Sequence, residues 1–339
     1  MKRKKLIIGL VTAVIVFCAT TYFLFFTAFI NQKGHAYLYI DENDTYDSVC
    51  VQLDTLPNVR QLVGFRILAT LSGYCEHVRP GRYEAGKDLT TFEVLRALRN
   101  GSQAPVKLTI PNVRTMDKLA ARLGEILMVD SATWAHNFSD SAFCAAYGTD
   151  TALLPCLFIP NTYEVYWNIS PDGLLRRMQR ESGAFWTPER MEQADAAGLT
   201  PDEVIIMASI VDQETANDKE KPMIAGMYLN RLYQGMKLQA DPTVKFALKR
   251  FELRRIYHEQ LDTDSPYNTY RYPGLPPGPI CIPALSSIEA VLHFAHHDYI
   301  YMCAKEDFSG THNFASNYTD HMANARKYWK ALNERKLFK

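Results

Sequence analysis

The longest uncharged stretch of the chain runs from Leu6 to Ile30, 25 residues rich in Ile, Val, Leu and Phe. As a helix with ~1.5 Å rise per residue it would be about 37 Å long, enough to cross a membrane with some tilt. Basic residues precede it at positions 2–5, and Lys33 is the only charge close behind it. This asymmetry predicts a cytoplasmic N-terminus and a body outside. We therefore expect an uncleaved single-pass anchor over residues 1–30.

Two other interpretations of the stretch stay open. A cleaved signal peptide would have a shorter apolar core and a small-x-small cleavage site, and the stretch fits neither requirement. A lipoprotein site at Cys18 is disfavoured because Phe17 stands where a small residue is required. Length and flanking charges thus favour the anchor.

The charge balance argues against a nucleic-acid-binding protein. The chain has 37 basic and 37 acidic residues, and without the four basic residues at its start the counts are 33 and 37. A mildly acidic body creates no field that attracts nucleic acid. With 47% hydrophobic and 22% charged residues the chain is typical of a globular protein, and 339 residues favour two domains, or three.

Six of the seven cysteines follow the apolar stretch, an even number in a compartment where disulfides can form. Proximity in sequence suggests the pairs Cys50–Cys75, Cys144–Cys156 and Cys281–Cys303, while small buried apolar thiols are the alternative. The sequence has no CxxC spacing, and the His residues at 293, 296 and 297 do not form an HExxH pattern. We expect neither a metal nor an organic cofactor.

Periodicity and turn residues predict an α+β fold after the anchor. A strand over 36–41, helices over 45–53 and 58–72, and a strand in RPGRYEAG form a small βααβ module. A helix over 91–99 and the strand VKLTIP follow it. We expect an anchor at 1–30, the module and its following helix at 31–104, and a further domain at 105–339.

Helices dominate the rest of the chain, with an aromatic connector, LFIPNTYEVY, after the first of them. Beyond Asp241 the residues PYNTYRYPGLPPGPICIP predict a loop. The helix SSIEAVLHFA and the strand YIYMCA come next, and one long terminal helix is expected from His312 onward.

One predicted helix carries a candidate catalytic acid. Thr200 and Glu203 form a capping box with Pro201 at the first helical position, so the helix begins there. Glu214 projects near the apolar stripe of Met207, Ile210 and Val211, where a carboxyl group keeps its proton to higher pH. Asp212 is expected to point away, toward solvent. A solvated or ion-paired Glu214 at the helix end is the alternative.

Polar and aromatic residues downstream suit a sugar-binding cleft, because Tyr rings stack on sugars and amides and hydroxyls bind sugar hydroxyls. Capped turns explain the same residues equally well. The residues are Gln239, Asp241, Thr243, Tyr267, Asn268, Thr269 and Tyr270.

Several ordered segments carry a resemblance: ASIVDQETA, LNRLYQGMKLQADPTV, SPYNTYRYPGLPPGPICIP and HNFASNY. The chain resembles the endolytic murein transglycosylases, the YceG-like family of enzymes anchored in the inner membrane of the bacterial envelope. LFIPNTYEV is similar to the family's LFPDTY element, and the small module resembles its LysM-like subdomain. The resemblance implies a transmembrane helix, this module and a mainly helical catalytic domain with short strands, placed in the periplasm or outside the cytoplasm.

The resemblance also implies roles for individual residues. Glu214 fills the catalytic position of the family's (E/D)-x-E-T step, while Asp212 fills a position that tolerates Asp or Glu. The seven polar and aromatic residues named above match its substrate-binding elements. Asn112 and Asn161 replace acidic residues that are usual in the family, so no carboxylate role is carried over to them.

The implied reaction cleaves the MurNAc–GlcNAc bond of peptidoglycan without water and leaves a 1,6-anhydro end. One carboxyl group protonates the leaving oxygen and then takes the proton of the attacking 6-hydroxyl. The expected partners are glycan strands, the inner membrane and peptidoglycan synthases, and the expected effect is to limit or end nascent strands. Two alternatives are a glycan hydrolase with Asp241 as second carboxylate and a non-catalytic peptidoglycan-binding scaffold.

Overall fold

The computed structural model describes residues 2–30, 35–59, 62–86, 88–253 and 256–335. The chain divides into two compact units. The first extends to Leu108 and also includes 126–129 and 163–170, and the second contains the remaining residues.

The first unit opens with a long apolar helix and continues as the βααβ module. Its elements are α1 (Lys2–Phe26), β1 (Tyr37–Ile40), α2 (Tyr46–Thr55), α3 (Leu62–Ser72), β2 (Gly81–Glu84), α4 (Thr91–Asn100) and β3 (Val106–Thr109), which ends at the unit boundary. The predicted order of elements is confirmed. The likeness of the module to LysM stays a prediction.

Helix α1 is long and apolar enough to cross a membrane, and it ends at Phe26, before the end of the uncharged stretch. Phe29 and Ile30 are buried in the hydrophobic core of the module instead. Ile30 forms a β-bridge with Val59, and the Phe29 amide donates to the carbonyl of Leu89. The last residues of the stretch therefore join the module to the helix.

Strands β1 and β2 pair antiparallel, with Tyr37 opposite Glu84 and Ile40 opposite Gly81. Leu38 is buried while the alternate residue Tyr39 is exposed, as expected of a strand that covers a core with one face. Capping explains where the helices begin: the side chain of Thr45 caps α2, and Thr90 and Glu93 form a capping box for α4.

Short helices open the second unit. They are α5 (Met116–Ile126), α6 (Ser131–Ser139) and α7 (Ser141–Ala145). The next strand, β4 (Thr162–Val165), lies mostly in the first unit, where it pairs with β3. The helices that follow are α8 (Pro171–Phe185), α9 (Pro188–Ala196), α10 (Pro201–Glu214), α11 (Lys221–Tyr233), α12 (Asp241–Ala247), α13 (His258–Leu261) and α14 (Leu285–Leu292). The chain ends with β5 (Tyr301–Ala304), β6 (His312–Ala315) and α15 (Tyr318–Glu334).

Helix α10 is the centre of this unit. All residues from Val204 to Val211 are buried, and the helix packs against α11, α12 and α14. The core around it includes Ile224 and Leu229 from α11 and Ile288 and Val291 from α14. This packing fixes the end of α10, where Glu214 lies.

Two predictions, one on the terminal helix and one on the cysteines, are corrected. The terminal helix begins at Tyr318, because His312–Ala315 form strand β6, antiparallel to β5. All seven cysteines lie in the described part of the chain and are free, so the suggested pairs Cys50–Cys75, Cys144–Cys156 and Cys281–Cys303 are not formed. Cys50, Cys144, Cys156 and Cys281 are buried thiols, the alternative considered for them.

Candidate active site

Glu214 is the last residue of α10 and lines an open cavity of about 370 Å³. The helix begins at the predicted capping box, in which the Thr200 side chain accepts from the Glu203 amide and Glu203 accepts from the Thr200 amide. It ends because Thr215 is extended. The side chain of Glu214 thus leaves a rigid, buried helix at its last turn and reaches the cavity.

The carboxyl group of Glu214 is tuned by its surroundings. The Tyr228 hydroxyl donates a hydrogen bond to Glu214 Oε1 at 2.6 Å. Burial raises the pKa of Glu214 from its ordinary 4.5 to about 7; the Tyr228 hydrogen bond opposes this rise and the charge of Asp241 adds to it. Near neutral pH the group therefore exchanges easily between acid and carboxylate, as a general acid/base requires.

A second tyrosine–carboxylate pair faces the same cavity. The Tyr270 hydroxyl donates to Asp241 Oδ1 at 2.6 Å, and both residues line the cavity with Glu214. Gln239 also lines it, and its Oε1 accepts from Arg231 Nη2 at 2.5 Å. The structure thus brings four of the predicted site residues together.

Three other predicted residues, Thr243, Asn268 and Thr269, are buried and form hydrogen bonds within the protein. Thr243 and Thr269 are buried and joined by a hydrogen bond of 2.8 Å between their hydroxyls. Asn268 is buried and donates to the carbonyls of Leu261 and Thr263, both at 2.8 Å. Direct contact of these residues with a ligand stays a prediction.

Tyr267 lies elsewhere. It lines a separate cavity of about 180 Å³ and packs against Phe246, with ring centroids 4.7 Å apart and the ring planes tilted by 48°. The Tyr-Asn-Thr-Tyr element is therefore split between two cavities, and Tyr270 alone of its tyrosines accompanies Glu214.

Comparison with known proteins decides the family. The model of the YceG-like family matches residues 38–327. The chain belongs to the YceG-like family. The resemblance inferred from the sequence motifs is confirmed.

Relatives of this YceG-like chain are curated as endolytic murein transglycosylases. The protein of Streptococcus pneumoniae serotype 2 (strain D39 / NCTC 7466) is 26% identical over 328 residues, which is 88% of this chain and 59% of the relative. That of Bacillus subtilis (strain 168) is 38% identical over 166 residues, 49% of this chain and 45% of the relative. The YceG-like chain thus spans less than two thirds of either relative's length.

A solved structure has a similar fold. A crystal structure of a yceG-like protein from Listeria monocytogenes superposes with a TM-score of 0.57 at 25% identity. The match covers 86% of this chain and 99% of that chain.

The expectation that Asp212 of this YceG-like chain faces solvent is wrong. Its side chain is 6% exposed, and its Oδ1 lies 3.5 Å from Lys221 Nζ and accepts from Ser287 Oγ at 2.5 Å. The amide of Ala284 donates to the same oxygen, and the Asn112 side chain donates to the other. Asp212 therefore ties α10 to the starts of α11 and α14.

Asn112 and Asn161, the two residues that differ from the family motifs, have different surroundings. Asn112 supplies an N–H to Asp212 that a Glu side chain could not supply, so the change suits an Asp at 212. Asn161 accepts from the Thr162 amide at 2.8 Å and lies exposed at the start of β4.

Sequence reasoning missed several residues of the cavity wall. Tyr228 and Arg231 lie three residues apart on α11, so they share one face, and both line the cavity. His312, at the start of β6, also lines it. Its amide donates to Glu220 Oε1 at 2.7 Å, and its Nδ1 lies 2.9 Å from Glu220 Oε2. His312 belongs to the HNFASNY segment, whose family resemblance is the sequence signal that could have found it.

Proposed function

We propose that this chain is a membrane-anchored endolytic murein transglycosylase that cleaves the MurNAc–GlcNAc bond and leaves 1,6-anhydro-MurNAc ends. The observation that carries the proposal is the Glu214 carboxyl group, held by Tyr228 at a cavity wall with its pKa raised to about 7. The names of the relatives support the same reaction class.

In the first step protonated Glu214 acts as the general acid. Tyr228 holds Oε1, so we assign Oε2 to the oxygen of the scissile bond. Transfer of the proton lets the GlcNAc leave while the MurNAc ring develops oxocarbenium character. The carboxylate of Asp241, oriented by Tyr270, lies on the same cavity and offsets this positive charge.

In the second step the Glu214 carboxylate is the base. It takes the proton from the MurNAc 6-hydroxyl, whose oxygen attacks the anomeric carbon of the same sugar. The ring closes to the 1,6-anhydro product, Glu214 is protonated again, and no water enters the balance. A pKa near the working pH serves both transfers, because neither protonation state is strongly disfavoured.

The rival function is hydrolysis of the same bond with Asp241 activating a water molecule. The carboxyl groups of Glu214 and Asp241 line one cavity, and this observation supports hydrolysis as the second candidate function. Mass analysis of products from purified protein and polymeric peptidoglycan separates the two. We expect anhydro ends, lighter by one water than the reducing ends that a hydrolase leaves. Reducing ends alone would refute the proposal, and intact glycan would point to a non-catalytic scaffold.

We further propose that α1 anchors the chain in the inner membrane with its N-terminus in the cytoplasm, so that the enzyme limits or ends nascent strands near the synthases. The apolar length of α1 and the basic residues before it support this placement. N-terminal analysis of membrane-extracted protein tests it. A mature start near residue 31, with the protein in the soluble fraction, contradicts it.

We assign the βααβ module to glycan orientation. A variant lacking 36–90 should lose more activity on long polymeric glycan than on short fragments. An equal loss on both substrates would limit the module to supporting the fold.

A further inference from the structure

Helix α3 has an apolar face that the protein leaves uncovered. Val63, Ile67 and Leu71 follow one another at a spacing of four, so they lie along one side of the helix. They are 65%, 40% and 78% exposed. The helix has no acidic residue, and its one basic residue, Arg66, is exposed at the edge of this face. A continuous exposed apolar face of this kind is typical of a surface that contacts a partner or a membrane.

The same helix packs on the end of α1. A side chain at Gly64 would collide with the carbonyl of Leu24, so the absence of one lets the two backbones touch. Thr21, Leu24 and Phe25 are the partly covered residues of this end of α1. Phe92, at the start of α4, lies against Phe26 with ring centroids 6.0 Å apart. The module therefore rests on the last turn of the apolar helix.

This contact sets the depth of α3 relative to the proposed span. The stretch from Leu6 to Phe26 is about 31 Å long as a helix, close to the thickness of a hydrocarbon core of about 30 Å. Leu24 then lies about 3 Å below its outer boundary. The exposed ring of Tyr22 occurs near this level, where membrane proteins concentrate Tyr and Trp, and the rings of Phe23 and Phe26 are exposed beside it.

The uncovered face of α3 begins next to the contact of α3 with α1. On α3, Leu71 projects about 20° from the direction of Gly64, so the face begins beside the α1 contact. The window of α1 that could span a membrane is not covered by protein in the described residues. The face therefore lies next to the helix that lipid surrounds if α1 is the anchor, and the long side chain of Arg66 at its edge is able to reach lipid phosphates.

We propose that α3 is an interfacial helix whose Val63, Ile67 and Leu71 side chains insert into the outer boundary of the bilayer beside α1. The proposal rests on the anchor proposed above. It gives the module a second membrane attachment, in the manner of amphipathic helices that lie in the interface.

The test uses the full chain in phosphatidylcholine vesicles, with Trp introduced at the face as Ile67→Trp or, at a more exposed position, Leu71→Trp. Brominated acyl chains quench Trp only when it reaches the hydrocarbon. Emission of either variant, after subtraction of the parent protein, should move to shorter wavelength and fall strongly in brominated vesicles. Val51→Trp on α2, at an equally apolar and 63% exposed position, is the matched control and should lose little emission.

Two outcomes overturn the proposal. Quenching at 67 and 71 no greater than at 51 means that the face does not enter lipid. Emission that depends on the ratio of protein to lipid and not on bromine means that a second copy covers it. Failure of the anchor is recognised separately, because the protein would then not float with the vesicles at all.

Discussion

The Tyr228 hydroxyl donates a hydrogen bond of 2.6 Å to Glu214 Oε1, across the gap between α11 and the end of α10. Burial raises the pKa of the Tyr228 phenol well above its usual range, so the phenol keeps its proton and can donate it to the Glu214 carboxylate. Tyr270 stands in the same relation to Asp241. Burial therefore raises the pKa of the acid that we propose for catalysis, while the neutral Tyr228 donor lowers that pKa and the charge of Asp241 raises it further.

Glu214→Gln should abolish production of anhydro ends. Glutamine keeps the size of the side chain but cannot cycle a proton, and general acid/base catalysis is typically worth about 10² to 10⁴ in rate. Because Glu214 serves both transfers, we expect a loss toward the upper end of that range with glycan binding intact. Product analysis by mass measures it. Near-normal yields of anhydro ends would refute the single-carboxylate mechanism.

Tyr228→Phe should move the basic limb of the pH–activity profile to higher pH. The hydrogen bond from Tyr228 lowers the pKa of Glu214, so its removal raises that pKa and extends the range in which the acid is protonated. Tyr233→Phe, on the same helix but hydrogen-bonded to Ala197, is the matched control and should leave the limb in place. A limb that stays fixed in Tyr228→Phe contradicts the assignment.

Asp241→Asn should shift the same limb in the opposite direction. The charge of Asp241 raises the pKa of Glu214, and without it Glu214 loses its proton at lower pH. Activity at the optimum should fall, but less than in Glu214→Gln, because Asp241 stabilises charge and does not transfer the proton. Rate profiles from pH 5 to 9 measure both effects. A folded Asp241→Asn as inactive as Glu214→Gln would favour the two-carboxylate hydrolase.

The raised pKa of Glu214 should make the free energy of unfolding depend on pH. Its folded pKa of about 7 exceeds the ordinary 4.5, so between these pH values the folded state binds more protons than the unfolded state. Stability from this group is therefore lost as pH rises from about 4.5 to about 7 and is constant above. Glu214→Gln should remove this loss and be more stable at pH 8 by up to about 3 kcal/mol. Denaturant unfolding at pH 4 and pH 8 checks this, and an equal difference at both would contradict it.

Local signals explain what the sequence could predict. The start of α10 follows from the capping box at Thr200, and the order of the module follows from apolar spacing and turn residues. Glu214 is at the helix end that its spacing predicts. Each of these depends on residues close together in the chain.

Tertiary packing explains what the sequence could not. A helical wheel gives the direction of Asp212 but not what fills that direction, and α10 is covered on all sides by other helices. The strand His312–Ala315 is only four residues long, so the spacing of its apolar residues fits a helix as well as a strand. It is a strand because it pairs with Tyr301–Ala304, which lies apart from it in the sequence. Tyr228 reaches Glu214 only because α11 packs against α10.

Asp212→Ala should destabilise the fold without changing the chemistry of each folded molecule. The substitution leaves buried Lys221 with the exposed Asp218 as its remaining ion-pair partner among the described residues, and it removes the acceptor of the Asn112, Ala284 and Ser287 donors. Loss of one partner of a buried ion pair costs about 3 to 5 kcal/mol. Because Asp218 still contacts Lys221 at 2.7 Å, we expect about 3 kcal/mol.

Asp218→Ala is the matched control, since it removes a carboxylate from the same lysine at a position 68% exposed. Exposed pairs contribute about 0 to 1 kcal/mol, so this variant should unfold almost as the parent does. Urea unfolding of both variants gives the free energies, and glycan turnover is measured at a temperature where both are folded. If Asp212→Ala is as stable as Asp218→Ala, the buried network around Asp212 does not hold α10. If it is stable but inactive, Asp212 belongs to the catalytic machinery and Glu214 does not act alone.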